Sequence, residues 1–233
     1  MAKRSFSGFP KEALQFFDQL AINNTKTWFD QHKSDYETFV MAPAREFVLA
    51  LGEQLRQLSP HVVADPRVNK SIFRIYRDTR FSQDKTPYKT NLALWFPVGD
   101  EGAKFEKPGY YVHLESQNLM LGVGIYRFSP QLLKAYRDAV IEMELGSQLV
   151  GLMAKLTKKG YGVGEKIFKR PPRGYNSDHP FVELLLYGGL TAGIDLGIPQ
   201  EFHTPELVDL CFEIFIDLSP VVFWLEAMIH KNI

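Results

Sequence analysis

Strand-like segments follow one another through the middle of this chain with no helical pattern between them. The first alternates from residue 71 to 77, and three more cover residues 91–98, 109–115 and 119–126. The links between them carry Gly, Pro, Asn and Asp, so consecutive strands are expected to be antiparallel neighbours. This order favours a meander of four or more strands over an alternating βαβ fold.

Helical periodicity dominates the first sixty residues. Pro10 suits the first position of one helix, Thr25 is a candidate N-cap for a second, and Pro43 opens or kinks a third. The apolar residues of each segment recur on one face, which predicts three helices that pack against a common core.

Helical patterns return after the strands. Ser129 and Thr204 are candidate N-caps, each followed by a proline at the first helical position. A further helical pattern covers 147–156, Asp178 is a candidate cap for a short helix, and residues 191–196 could add one strand. The pair Ser219-Pro220 predicts a restart or kink in the last helix.

These patterns predict an α+β fold with N-terminal helices, a central, mainly antiparallel sheet and C-terminal helices. No repeat or linker divides the sequence, so residues 1–233 are predicted to form a single domain. The sole cysteine, Cys211, lies on an apolar helical stripe and is expected in the core. A single cysteine excludes an internal disulfide and a multi-cysteine zinc site.

The charge balance restricts the partners. The chain has 27 basic and 27 acidic residues, and this zero net charge disfavours nucleic acid. No long apolar run suggests a signal peptide or a membrane span, so a cytoplasmic location without membrane contact is expected. The sequence does not specify a cofactor, a metal or an oligomeric state.

One polar segment stands out between residues 70 and 89. It holds six basic residues and only Asp78 and Asp84 as acids, a local charge of +4. Its second part is too polar for a strand and contains Pro87, which indicates an ordered loop. Long loops in compact domains are often functional, so a functional site is expected here.

The first hypothesis is that this segment binds a small ligand carrying a phosphate or carboxylate. Arginine suits bidentate contact with such groups, and lysine supplies a point charge. A second basic cluster at residues 169–173 offers one more candidate. The candidate ligand-binding residues are Arg74, Arg77, Arg80, Lys85, Tyr88, Lys89 and Arg170.

A hydrolase-type enzyme is the second hypothesis. Asp78 or Asp84 would act as a base or as a metal ligand, and His113, on a neighbouring predicted strand, would transfer protons. The cations of the segment would stabilise developing negative charge.

Two further interpretations stay open. Aromatic residues interleave with the basic ones, a composition typical of surfaces that stack single-stranded nucleic acid. Alternatively, the charges form a salt-bridge network that only fixes the loop. The candidate stacking residues are Phe73, Tyr76, Phe81, Tyr88 and Trp95.

The stretch from Phe73 to Thr90, FRIYRDTRFSQDKTPYKT, resembles the signature of the DUF2461 family. Supporting matches lie at Asn23-Asn24 with Trp28-Phe29, at residues 109–114 and at residues 169–180. The resemblance covers nearly the whole chain. It implies one whole-chain domain and no particular activity.

Overall fold

The computed structural model describes residues 6–99 and 106–232. A π-helical turn, Tyr36–Met41, links two of the helices, and 3₁₀ turns cover Val182–Leu186 and Gln200–His203. The α-helices of this part are α1 Lys11–Ile22, α2 Lys26–Gln31, α3 Lys33–Asp35, α4 Ala42–Leu55, α5 Pro130–Ile141, α6 Met143–Lys158 and α7 Leu207–Asn232.

The strands form a sheet with the order β1-β2-β3-β5-β4. The first three strands are consecutive neighbours, as the short links predict. Strand β4 contains only two residues, too few for a periodic pattern, and pairs antiparallel with β5. The α+β class with a central antiparallel sheet is confirmed. The strands are β1 Leu92–Pro97, β2 Gly109–Leu114, β3 Leu119–Ile125, β4 Gly162–Val163 and β5 Leu190–Asp195.

Two predicted N-caps are confirmed. The Thr25 hydroxyl accepts the backbone N–H of Trp28 at 3.3 Å, and the Ser129 hydroxyl accepts that of Leu132 at 3.4 Å. Each cap satisfies a donor that the first turn of a helix leaves without an intrahelical partner.

Two predicted caps of the later helices are wrong, and so is the predicted restart at Pro220. The Thr204 hydroxyl donates to the carbonyl of Glu201 at 3.1 Å, so it caps no helix, and α7 begins at Leu207. The helix then runs through Pro220 without a restart. Asp178 is not a helix cap either, because the 3₁₀ turn begins at Val182.

The chain divides into two compact units. The first contains residues 6–96, 111–121 and 195–214 of the described chain. The second contains residues 97–99, 106–110, 122–194 and 215–232. The single domain over residues 1–233 stays a prediction.

The core of the first unit contains a cluster of phenylalanines. Phe9 stacks on Phe202 with 5.3 Å between ring centroids, and Phe6 meets Phe47 edge-on at 5.1 Å. Cys211 is fully buried in this unit, as predicted, and burial raises the pKa of its thiol. That environment is typical of a packing cysteine rather than a nucleophile.

Two buried aromatic side chains of the second unit bond backbone carbonyls through their polar atoms. The Tyr136 hydroxyl donates to the carbonyl of Leu184 at 3.1 Å, and the Trp224 indole N–H donates to that of Leu145 at 3.1 Å. These bonds offset the cost of placing polar atoms in an apolar interior.

Candidate functional site

The segment from residue 71 to 77 pairs with residues 87–95, but not as a regular strand. Near one end Phe73 N–H donates to Ala93 O at 3.0 Å, and near the other Lys89 N–H donates to Ile75 O at 2.8 Å. The register changes between these bonds. The segment of residues 87–95 has two more residues between the bridges Ile72–Leu94 and Tyr76–Tyr88 than the segment of residues 71–77 has. The sequence predicted a strand here, and the structure has an interrupted ladder.

The hairpin loop, defined as residues 78–86, neutralises its acids locally. Asp78 accepts two hydrogen bonds from the Arg80 guanidinium, at 3.0 and 2.7 Å. Asp84 accepts one from Arg77, whose guanidinium also donates to the Thr86 hydroxyl. Bidentate and charge-assisted bonds of this kind hold a loop in one geometry.

These contacts depress the pKa of both carboxyl groups. The Arg80 guanidinium lowers the pKa of Asp78 to about 2. The Thr86 backbone N–H and then Arg77 lower the pKa of Asp84 to about 2. A general base works best with a pKa near the working pH, so neither carboxylate is tuned for that role at neutral pH.

Lys85 also contacts its own loop. Its ammonium donates to the carbonyl oxygen of Thr79 at 2.8 Å. Arg77, Arg80 and Lys85 are therefore three sequence-predicted ligand-binding cations whose charged groups bond the hairpin loop itself.

Tyr88 anchors the base of the loop. Its ring is 2% exposed and stacks on Phe29 with 4.2 Å between centroids. Asn24 holds its backbone from both sides: the side-chain Nδ2 donates to Tyr88 O at 2.9 Å, and Oδ1 accepts Tyr88 N–H at 3.0 Å. Such burial leaves little of the ring for contact with a ligand.

Arg74 and Lys89 differ from the other cations. Neither has an ion pair or a side-chain hydrogen bond within the described chain. The Lys89 ammonium lies 5.4 Å from the centre of the Phe73 ring. Burial, and then the charge of Arg74, lower the pKa of Lys89, so the two cations are close enough to repel each other.

His113 lies in a hydrogen-bonded row along β2. Its Nε2 is 3.0 Å from a Glu115 carboxylate oxygen, and its Nδ1 is 2.9 Å from the Tyr111 hydroxyl. In a neutral ring, the hydrogen bond to the carboxylate keeps the proton on Nε2. Nδ1 is then the acceptor of a hydrogen bond that the Tyr111 hydroxyl donates. Burial raises the pKa of Tyr111.

Phe73 connects this row to Lys89. Its ring meets Tyr111 edge-on at 6.3 Å, on the same unit as Lys89. The structure therefore brings Lys89 and the row of His113 near one aromatic side chain. No contact among the described residues joins Asp78 or Asp84 to His113.

The proposed stacking residues are mostly withdrawn from solvent. Trp95 is buried, like Tyr88, and Phe73 is half-buried. Only Tyr76, 52% exposed, and Phe81, 95% exposed, present large ring surfaces. A continuous stacking platform of five rings is therefore absent from this described segment.

Arg170 belongs to the second unit. It is exposed, as are Lys169 and Arg173 in the same loop. The structure does not assign Arg170 to the site of the first unit.

Metal-ligating clusters and membrane-spanning helices are both absent from residues 6–99 and 106–232. This part of the chain contains no group of three or more His, Cys, Asp or Glu side chains arranged to hold a metal ion. None of its helices is long and apolar enough to cross a membrane.

The hairpin loop and its surroundings belong to a region shared with other proteins. A family model described as "Conserved hypothetical protein (DUF2461)" matches residues 12–224. The chain belongs to the DUF2461 family. No curated protein matches it. The DUF2461 match covers the interrupted ladder, the hairpin loop and the row of His113, and its description carries no activity.

Sequence reasoning missed several residues that build this site. In the sequence Asn24 stands out only as part of the DUF2461 resemblance, and its partner is 64 positions away. Tyr111 and Glu115 are absent from the predicted site, although they alternate with His113 along one strand. That period-two spacing of three polar side chains was the signal that could have found them.

Proposed function

We propose that this chain is a cytoplasmic protein that binds a small ligand carrying a phosphate or carboxylate group, with Arg74 and Lys89 contacting the anion. The observation that carries the proposal is the contrast among the cations of one segment. Arg77 and Arg80 form salt bridges with local carboxylates, whereas Arg74 and Lys89 form none with the described residues, although Arg74 is near enough to Asp78 to lower its pKa.

The energetics of Lys89 support an anion at this position. A half-buried ammonium loses hydration, and the nearby charge of Arg74 adds repulsion, so both costs lower its pKa. A bound anion would supply a counter-charge for Lys89 and reduce its repulsion with Arg74. The guanidinium offers a planar fork for two oxygens, and the ammonium offers a third contact.

Phe73 gives the ligand site one apolar wall. Its ring faces the Lys89 ammonium, a geometry in which the ring quadrupole attracts the cation. The same ring contacts Tyr111, so an organic group attached to the anion would meet aromatic surface beside Lys89.

The test is a thermal unfolding screen of the full chain with inorganic phosphate, sugar phosphates, nucleotides and small carboxylates. A ligand at about 100 times its Kd should stabilise the parent by about 2.7 kcal/mol. Arg74→Ala and Lys89→Ala should lose that stabilisation. Arg80→Ala is the matched control, because the charge of Arg80 is bonded to Asp78. This variant should keep the stabilisation by the ligand.

Either of two results would refute the proposal. One is that Arg74→Ala and Lys89→Ala keep every ligand effect of the parent. The other is that no member of the panel stabilises the parent, which would favour the purely structural salt-bridge network.

A hydrolase-type enzyme is the second candidate, and the row of His113 favours it. With Glu115 on one ring nitrogen, the other nitrogen can take a proton from Tyr111 or from a substrate group that replaces it. In this version His113 would transfer protons while Arg74 and Lys89 hold the negative charge.

Turnover of phosphate-ester and carboxylate-ester panels, with and without divalent metal, tests this candidate. His113→Gln should lower any activity by about 100-fold or more, whereas Asp78→Asn should leave it largely unchanged. Equal activity in His113→Gln and the parent would remove His113 from the mechanism.

A further inference from the structure

A separate pocket of about 430 Å³ lies in the second unit. Helix α5 forms one wall, and the loop after the second basic cluster forms the other. Its volume falls in the range that proteins use for small organic ligands. The lining residues are Asp138, Ile141, Gly174, Tyr175, Asn176 and His179.

Helix α5 holds the loop at two points. The Tyr175 hydroxyl donates to Asp138 Oδ1 at 2.8 Å, and the Arg137 guanidinium lies 4.8 Å from the centre of the Phe168 ring. Between them Gly174 has a φ of +93°, which favours glycine. The pocket wall is therefore braced by contacts on both sides of the glycine turn.

Backbone contacts orient two of the lining side chains. His179 Nδ1 accepts the N–H of Phe181 at 3.2 Å, so a neutral ring carries its proton on Nε2. Asn176 Oδ1 accepts the N–H of Asp178 at 2.9 Å, which leaves its Nδ2 hydrogens to donate. Neither His179 Nε2 nor Asn176 Nδ2 has a partner within the described residues.

The acceptor in the pocket is the Asp138 carboxylate. Lys134 contacts its Oδ2 at 2.5 Å, so the charge of the carboxylate is partly compensated. Each carboxylate oxygen has a further lone pair to accept a hydrogen bond. Ile141 adds apolar surface one helical turn away.

We infer that this pocket binds a monosaccharide or a polyol of similar size. Sugar hydroxyls both donate and accept, so they can bond Asp138 together with Asn176 and His179, while the C–H surface packs on Ile141. The carboxylate of Asp138 disfavours a simple anion. The ammonium of Lys134, which is paired with Asp138, disfavours a cation.

The experiment is an NMR titration of the ¹⁵N-labelled full chain. Glucose, galactose, mannose, ribose and inositol form the neutral panel, and glucose 6-phosphate and inorganic phosphate form the anionic panel. At least one neutral compound is expected to shift the amides of residues 174–179 with a Kd below about 10 mM.

Two substitutions of one residue separate its two contacts. His179→Asn keeps an acceptor at the δ position for the Phe181 N–H and removes the Nε2 donor, so affinity should fall about five- to tenfold. His179→Gln keeps a donor at the ε position and should retain more of the affinity. Asp178→Ala, outside the lining, is the control and should bind like the parent.

The inference is overturned if only phosphate and glucose 6-phosphate shift these amides, which would make the pocket an anion site. It is equally overturned if no panel member shifts them. Unchanged affinity in His179→Asn would overturn the assigned contacts.

Discussion

The hairpin loop and the loop of residues 168–180 are both rich in cations, but their counter-charges differ. In the hairpin loop Arg80 bonds Asp78 two positions away, and Asp84 bonds Arg77, the residue just before the loop. In the second loop the cations at 169, 170 and 173 are exposed and have no acid partner in the described chain. The difference shows that the number of basic residues in a segment says little about how many charges are free to bind.

Packing separates the two loops as well. The base of the hairpin loop includes Tyr88, which is buried against Phe29 and clamped by Asn24. The second loop is attached to α5 through side chains that are themselves half-buried, Phe168 and Tyr175. We therefore expect substitutions at the base of the first loop to affect stability more.

The largest effect is expected for Tyr88→Ala. Removing a fully packed ring from an aromatic cluster leaves a cavity, so the free energy of unfolding should fall by about 3–5 kcal/mol. Tyr126→Ala, whose parent ring is 92% exposed, is the control. Chemical denaturation measures both, and similar losses for the two variants would contradict the packing difference.

Asn24→Ala should rank second. It removes both hydrogen bonds to the Tyr88 backbone and leaves a part-buried N–H and C=O unpaired, at a cost of about 1–3 kcal/mol. Asn23→Ala is a matched neighbour, since its side chain bonds only the exposed carbonyl of Gln19. An equal loss at both positions would show that the helix end, not the clamp, matters.

A pair of identical substitutions compares the two loops directly. Arg77→Ala removes a guanidinium that is 26% exposed and bonded to Thr86, so a loss of about 1–2 kcal/mol is expected. Arg170→Ala removes an exposed cation and should change stability by less than about 0.5 kcal/mol. Denaturation midpoints measure the stability of both variants. A larger loss in Arg170→Ala than in Arg77→Ala would contradict the expected difference between the two loops.

The smallest effect is an acid transition of the hairpin loop. The folded-state pKa of Asp84 is about 2, below the ordinary value of 3.8, so its contacts stabilise the loop above pH 4. They are lost as the pH falls from about 4 to about 2. The NMR shift of the Thr86 amide, which donates to Asp84, should titrate with a midpoint near the lower value.

Asp84→Asn supplies the control for that titration, because it removes the ionisable group. A midpoint near 3.8 in the parent would mean that Arg77 and Thr86 do not hold the carboxylate in solution.

The sequence predicted those parts of the fold that local chemistry determines. The caps at Thr25 and Ser129 depend only on a hydroxyl three residues before an amide, and both are confirmed. Thr204 has the same pattern but fails, because its hydroxyl bonds Glu201 in a preceding 3₁₀ turn. Pro220 does not end α7, so the apolar pattern on both sides of the proline outweighs its local effect.

The candidate site was only partly predictable, since its key contacts join distant positions or depend on register. The alternation over residues 71–77 predicted an extended segment but not the two extra residues opposite it. Composition identified six cations, yet only the folded structure distinguishes Arg74 and Lys89 from Arg77 and Arg80. The clamp by Asn24 on Tyr88 joins residues 64 positions apart, a distance that no local pattern records.

That clamp depends on an amide, because it needs one donor and one acceptor at the end of the same side chain. In an aspartate at position 24 the donating NH₂ would be replaced by an oxygen 2.9 Å from the carbonyl oxygen of Tyr88. Two acceptors would then face each other where one hydrogen bond had been. The exchange of one nitrogen for one oxygen would thus loosen the base of the hairpin loop.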